Sequence, residues 1–180
     1  MRLQFALFAC MPVLTIAPAV DADTLDDIRA RGELIWGADR EGGGPYVYPD
    51  PADPQRSVGF EVELADLLAR ELGVKSRFSQ GNWDNLPAVL GNGQIDIVMN
   101  GYELTPARAG LMLATHPYYI YEMVLLAPRD HLRLKSWDDL RRKPGQPRAK
   151  VGVLVSSAAH TYLEQPPWAD EIDLRTYDSR

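Results

Sequence analysis

The sequence predicts an α/β fold in which mainly parallel sheets are flanked by helices and the chain forms two lobes. Short apolar runs alternate with helical segments from residue 24 onwards, which is the βαβ rhythm of a parallel sheet. The charge balance also changes along the chain. Residues 21–124 carry 17 acidic and 8 basic residues, whereas residues 125–180 carry 8 and 10. We therefore predict one lobe over residues 23–124 and a second over residues 125–180.

The first elements follow from apolar runs and their end signals. Thr24 is suited to the N-cap of a short helix, and a six-residue apolar run follows at 33–38. Residues 39–57 are rich in glycine, proline and aspartate, so we predict a loop there. Apolar residues recur at helical spacing over 60–72, with acidic residues in the first turns, which predicts an amphipathic helix.

The next elements complete the first lobe. A strand is predicted over 74–79, followed by a helix that Asn82 caps and that runs to about residue 90. Pro87 would kink this helix unless it lies in the first turn. The apolar run at 95–99 predicts a buried strand, and Thr105 followed by a proline predicts the start of another helix.

The second lobe shows the same alternation over fewer elements. Ser136 is predicted to cap a short helix over 136–142, and a strand follows over 149–155. Ser156 is predicted to open a helix that reaches about residue 164, and residues 172–177 predict one more strand.

Composition excludes several classes of protein. The chain has 180 residues, of which 46% are hydrophobic and 24% charged, as in globular domains. Its net charge of −6 argues against a nucleic-acid-binding protein, which needs a basic surface. A single cysteine, Cys10, excludes an intramolecular disulfide and a cysteine-built metal site. The three histidines lack metal-ligand spacing, so we expect neither metal nor cofactor.

The N-terminus has the layout of a secretory signal peptide over residues 1–22. Arg2 precedes an apolar stretch over 3–16, and small residues compatible with an A-x-A cleavage site follow. A membrane anchor would need about 20 predominantly apolar residues, more than this stretch offers. We therefore predict export to an oxidising compartment, with Cys10 removed on cleavage.

The segment after the predicted 95–99 strand carries the first candidate site. The carboxyl end of a strand is where open α/β sheets bind ligands. Arg108 emerges from the first turn of the following helix, where its guanidinium could grip a carboxylate in a bidentate fork. Glu103 could neutralise an ammonium group. The two residues suit a zwitterion, but they equally suit a surface ion pair, and their spacing leaves both interpretations open.

Two further segments could contact a ligand. Ser156 and Ser157 lie where a strand meets a helix N-terminus, a place that favours an anion, although plain N-capping explains them as well. Glycines at 42–44 follow Asp39 and precede Tyr46; they allow close backbone approach, and the ring could stack on a ligand or contact an ammonium group.

Several segments, taken in order, resemble the family 3 extracellular solute-binding proteins, which are the polar amino-acid receptors of bacterial ABC importers. The resemblance implies a fold like that of the type II periplasmic binding proteins and a periplasmic location. The matching segments are 37–39, 58–65, 83–90, 93–98, 104–108, 117–119, 135–140 and 151–157.

The resemblance also implies roles for individual residues. Arg108 would bind the α-carboxylate of the ligand, and Gly101 would offer its carbonyl to the α-amino group beside Glu103. Ser157 would add donors to the carboxylate. Asp39 and Tyr46 would line the side-chain end, with a hinge near residues 125–128.

Some features depart from the family pattern. Glu103 stands where a small hydroxyl residue is usual, Ala107 where an acid is usual, and Ala158 where a threonine is frequent. The sequence given stops one predicted strand after the 156–164 helix. We therefore expect an incomplete second lobe, as in a truncated product or a piece of a longer protein.

The predicted function is that of a periplasmic substrate-binding component, not of an enzyme. We expect an amino acid as ligand, the membrane permease of an ABC importer as partner, no nucleic acid, and a monomer. One alternative is a periplasmic enzyme resembling cyclohexadienyl dehydratase, with Glu103 as an acid. The other is the receptor domain of a permease-fused or signalling protein.

Overall fold

A computed structural model describes residues 24–42, 44–131 and 134–178. The predicted signal peptide lies outside these residues. The first part of the chain is built on a three-stranded parallel sheet in the order β4-β1-β5, whose strands are β1 (Glu33–Ala38), β4 (Lys75–Gln80) and β5 (Ile97–Val98). The edge strand β4 pairs with β1 over its whole length, from Glu33 opposite Lys75 to Ala38 opposite Gln80. The predicted parallel sheet is therefore present.

The central strand β1 is buried along nearly its whole length because helices cover both faces of the sheet. These helices are α1 (Thr24–Arg31), α2 (Phe60–Leu72) and α3 (Leu86–Gly91). Trp36 packs with Ala65 of α2 on one face, and Ile35 packs with Leu86 of α3 on the other. Strands that are buried on both faces have continuous apolar sequences. The strand predicted from the apolar run at 33–38 is therefore confirmed.

Helix α2 has the predicted bounds, because chain conformation at both ends stops it from extending. Gly73 follows it in the left-handed conformation, and its N–H donates to the carbonyls of Ala69 and Arg70. Gly59 precedes it at φ 132° and ψ 163°, a conformation that only glycine adopts readily.

Other elements of this part differ from the prediction. The predicted 39–57 loop contains a helical turn and an antiparallel pair, namely Arg40–Gly42, β2 (Tyr48–Pro49) and β3 (Ser57–Val58). The helix predicted from Asn82 is a 3-10 turn, Trp83–Asn85, followed by α3, and the Asn82 side chain makes no capping hydrogen bond. Pro87 lies in the first turn of α3, where it causes no kink.

Three predicted boundaries also shift. The strand predicted over 74–79 is β4, which runs one residue later, over Lys75–Gln80. The strand expected over 95–99 pairs only as β5, at Ile97 and Val98. Thr24, predicted as an N-cap, is the first residue of α1.

The second part of the chain has its own small parallel sheet of β6 (Ala149–Leu154) and β7 (Ile172–Tyr177). Two short helices accompany it, α5 (Ala158–Leu163) and α6 (Trp168–Glu171), of which α6 was not predicted. Leu140, Leu163, Trp168 and Ile172 form its core. Ser136 caps the helical turn Trp137–Leu140 through a capping box with Asp139, as its position predicts.

The helix predicted to open at Ser156 begins two residues later. Ser156 has a positive φ of 61°, and the side chain of Ser157 accepts the hydrogen bond from the N–H of His160. The N-cap of α5 is therefore Ser157, because Ser156 forms the left-handed turn between the strand and the helix.

Residues 113–128 connect the two parts without regular helix or strand. Several apolar side chains are exposed along this stretch, including Leu113, Ile120 and Leu126. Within the described residues, no helix is both long and apolar enough to cross a membrane. The division into lobes over 23–124 and 125–180 stays a prediction.

Candidate functional site

The site is centred on Arg108, which α4 (Pro106–Ala109) holds just beyond the sheet. Thr105 caps this helix as predicted, because its hydroxyl accepts the N–H of Arg108 at 3.3 Å. Only 9% of Arg108 is exposed, so its guanidinium must find partners inside the protein.

The guanidinium of Arg108 bonds to both parts of the chain. Its Nη1 donates to the Glu103 carboxylate at 2.6 Å and to the Glu103 carbonyl at 3.0 Å. Its Nη2 donates to the carbonyl of Ser156, in the β6–α5 turn, at 2.7 Å. The arginine thus faces the junction of the two parts.

Two stacked aromatic rings support the same guanidinium. Trp83 and Tyr102 stack with centroids 4.5 Å apart, and the Cζ atom of Arg108 lies 4.7 and 4.4 Å from their centroids. The Trp83 indole donates to the carbonyl of Asn100 at 3.1 Å, and the Tyr102 hydroxyl donates to the carbonyl of Trp83. These contacts restrict the orientation of the guanidinium.

Glu103 lies at the centre of the polar contacts. Its Oε1 accepts from the Tyr121 hydroxyl at 2.7 Å and from the Ala158 N–H at 3.3 Å, while its Oε2 takes the contact with Arg108. Burial, and then this hydrogen bond, raise the pKa of Tyr121 well above its usual value, so the hydroxyl remains a donor. The predicted ion pair exists, but it is enclosed and not a surface pair: the two side chains are 10% and 16% exposed.

Gly101 takes a left-handed conformation at φ 62° and lies against the ring of Tyr46. A Cβ atom at Gly101 would come within 3.1 Å of that ring, which leaves little room for a side chain. The N–H of Gly101 donates to Glu61 at 2.8 Å, which fixes the peptide plane that precedes it.

Glu61, the acid that accepts from Gly101, is buried, and the sequence analysis did not single it out. Its Oε1 also accepts from the Tyr118 hydroxyl at 2.6 Å, whereas its Oε2 has no hydrogen-bond partner among the described residues. Burial raises the pKa of Glu61, and the hydrogen bonds from Tyr118 and Gly101 oppose that effect.

A cavity of about 580 Å³ brings four of the predicted residues together: Tyr46, Gly101, Glu103 and Arg108 all line it. It is also lined by Tyr102, Tyr118, Tyr119, Tyr121 and Ala158. Sequence analysis missed these tyrosines as site residues, although three of them stand close together over 118–121, which was a visible signal. Ala158 contributes its backbone N–H, which no side-chain pattern reveals.

The other predicted residues are placed differently. Asp39 is 1% exposed and does not line the cavity; its carboxylate accepts from the Gln80 side chain and the Glu41 N–H. Ser156 reaches the site through its carbonyl. The Ser157 hydroxyl caps α5 and donates to Leu154 at 2.8 Å. Neither serine lines the cavity in the described part of the chain.

Comparison with known sequences identifies the family. The model of the bacterial extracellular solute-binding proteins, family 3, matches residues 37–161. An L-cystine-binding protein, TcyJ of Escherichia coli K12, is 32% identical over 96% of this chain and 60% of its own length. A putative arginine-binding protein of an ABC transporter from the same organism is 39% identical over 68% of this chain and 46% of its own. The chain thus spans about half to three fifths of these relatives.

Solved structures show the same architecture. The ancestral amino acid-binding protein AncCDT-1, described as a precursor of cyclohexadienyl dehydratase, matches 86% of this chain and 65% of its own with a TM-score of 0.75 and 31% identity. Holo ArgBP from T. maritima matches 86% of this chain and 63% of its own with a TM-score of 0.69, and at 24% identity this likeness concerns the fold alone.

These matches confirm the fold class and the resemblance inferred from sequence. The parallel sheets and the flanking helices agree with the architecture of those structures, of which this chain spans about two thirds. The chain belongs to the bacterial extracellular solute-binding proteins, family 3.

Proposed function

We propose that this protein is the periplasmic substrate-binding component of an ABC importer and delivers a polar amino acid, or a related amine-bearing carboxylate, to a membrane permease. The observation that carries the proposal is the enclosed guanidinium of Arg108, which lines a cavity where the two parts of the chain meet. A cation held in this way is suited to the carboxylate of a small ligand.

The other cavity residues fit the rest of an amino acid. The carbonyl of Gly101 would accept from the α-amino group, and the ring of Tyr46 would cover the ligand next to it. The ligand class is supported by the relatives, whose names specify cystine and arginine. The periplasmic location and a monomeric state belong to the same proposal.

Replacing Arg108 by alanine tests the proposal. Because the ligand carboxylate would stay buried without its partner, we expect the R108A variant to lose about 2–5 kcal/mol of binding free energy. Isothermal titration calorimetry with L-cystine, L-arginine and L-histidine measures the loss. The matched control is R77A, which removes a half-exposed arginine paired with Glu33 on the sheet edge and should leave affinity unchanged.

Equal affinity of R108A and the unaltered protein would refute the proposed role of Arg108. Binding of none of the three amino acids would refute the proposed ligand class. A dehydratase activity is the competing function, because AncCDT-1 is described as a precursor of such an enzyme. Incubation with prephenate decides between them: turnover without amino-acid binding would establish the enzyme.

A further inference from the structure

The carboxylate of Glu103 makes the contacts that a bound carboxylate would need. It lies 2.6 Å from the Nη1 atom of Arg108, 2.7 Å from the hydroxyl of Tyr121 and 3.3 Å from the backbone nitrogen of Ala158. These three donors come from α4, from the connecting stretch and from α5. The three donors point at one carboxylate and so form an anion site, which the chain occupies with its own Glu103 side chain.

Glu103 also engages much of the donor capacity of the arginine. The Nη1 atom has two hydrogens, and Glu103 accepts at both its carboxylate and its carbonyl. The Nη2 atom donates to Ser156. A fork through Nη1 and Nη2 therefore requires that the carboxylate of Glu103 leaves Nη1, and so does any ligand carboxylate that takes the same three donors.

We propose that Glu103 is a specificity-determining residue that competes with the carboxylate of the ligand for Arg108. This inference rests on the proposed function and deepens it. A ligand carboxylate that takes these donors must displace an enclosed, charge-assisted pair, so part of its binding free energy is spent on the exchange.

Displacement leaves Glu103 without the guanidinium, close to the place proposed for the amino group. A cationic group on the ligand can then pair with the released carboxylate, whereas a simple carboxylic acid cannot. Glu103 therefore favours ligands that carry both a carboxylate and a cationic group over acids that lack an amine. In the complex with such an acid, the carboxylate of Glu103 is left without a partner of opposite charge.

The variant E103Q keeps the size of the side chain and removes its charge. We expect it to bind a carboxylic acid that lacks the α-amino group about tenfold more tightly than the unaltered protein does, because the ligand carboxylate no longer has to displace an anion from Arg108. The amino acid should gain less, since it loses Glu103 as the partner of its amino group. The probes are L-arginine, L-histidine and L-cystine, each compared in calorimetric titrations with its deamino acid, in which hydrogen replaces every α-amino group.

The matched control is E122Q, which neutralises an exposed acid on the same connecting stretch and should leave every affinity unchanged. The variant E103S provides a second test, because it removes the competing group altogether. Weaker or unchanged binding of the deamino acids in both Glu103 variants would overturn the proposal. A gain for the amino acid equal to the gain for its deamino acid would also overturn it.

A second measurement separates this inference from the proposed function. If the unaltered protein binds none of the amino acids, the proposed function fails, and the pair itself is then tested by urea unfolding of E103Q, R108A and the double variant. Non-additive effects show that Glu103 occupies Arg108 without added ligand. Additive effects would refute the pairing and, with it, the competition.

Discussion

Glu61 places a carboxylate in the interior beneath the cavity, at the second position of α2. It holds the N–H of Gly101 and the hydroxyl of Tyr118, which both belong to the cavity wall. Its second oxygen has no hydrogen-bond partner among the described residues. A charge at that oxygen is disfavoured, and for this reason burial raises the pKa of Glu61 from its usual value of 4.5.

Glu61 makes the stability of the fold depend on pH in a definite direction. Between its unfolded and folded pKa values the folded state binds more protons, so the unfolding free energy falls as pH rises above about 4.5. We expect this component of the pH dependence to disappear in E61Q. Urea unfolding from about pH 4 to about pH 8 measures it.

The control for this experiment is E63Q, which neutralises an exposed acid on the same helix. Its unfolding free energy should follow that of the unaltered protein at every pH. If the curve of E61Q ran parallel to that of the unaltered protein, Glu61 would not be the titrating group.

The residues that line the cavity were predictable where chain position alone puts them there. Arg108 and Gly101 follow a strand that ends at the edge of the sheet, and a sequence shows this. The pairing of Glu103 with Arg108 could also be inferred from the sequence, but the burial of this pair could not. Tyr121 and the N–H of Ala158, which complete the enclosure, come from distant parts of the chain.

At the scale of elements, helix α2 and the segment before it form one unit that orients Tyr46. The N–H groups of Phe60 and Glu61 donate to the carbonyls of Pro45 and Tyr46 at 3.1 and 3.2 Å. Gly59 makes this approach possible, because a Cβ atom there would lie 2.0 Å from the Tyr46 carbonyl oxygen.

Replacing Gly59 by alanine should therefore destabilise the protein by about 3 kcal/mol, since both the backbone conformation and the contact become unfavourable. Amino-acid affinity should fall as well, because Tyr46 must move. Urea unfolding and calorimetry measure the two effects.

The control G91A alters the last residue of α3, where a Cβ atom meets nothing within 4 Å. Its unfolding free energy should stay within about 1 kcal/mol of that of the unaltered protein. A cost for G59A as small as that of G91A would contradict the steric argument.

Elements with a strong periodic or apolar signal were predictable, namely α2, β1 and β7. Short elements were not. The β2–β3 pair has only two residues in each strand, and α6 has four, so in neither is there room for the pattern to repeat. The strand predicted over 95–99 is shorter because only Ile97 and Val98 pair with β1.

At the scale of the molecule, the two parts of the chain have separate cores. The clusters around Trp36, Leu34 and Ile35 draw on residues 28–102, whereas the cluster around Leu163 and Trp168 draws on residues 125–174. This separation supports the predicted lobes.

Replacing Leu163, which is 2% exposed, by alanine should remove about 2–5 kcal/mol from the second lobe alone, because the cavity it leaves lies entirely in that core. Hydrogen exchange should show lost protection in β6 and β7 and unchanged protection in β1.

The reciprocal control is L86A, in the core of the first lobe, which should expose β1 and leave β6 and β7 protected. If either substitution lowered protection equally in both sheets, the lobes would unfold as one unit and the proposed division would be wrong.

Local chemistry was sufficient to predict the α/β alternation, the main helix, the helix cap at Thr105 and the family resemblance, because each can be recognised from short segments taken one after another along the chain. Long-range folding decided which polar groups meet. It brought the Ser156 carbonyl to Arg108, left Asp39 outside the cavity lining and buried Glu61. Burial and hydrogen bonding between distant segments set the energy of a charge, and neither quantity exists until those segments pack together.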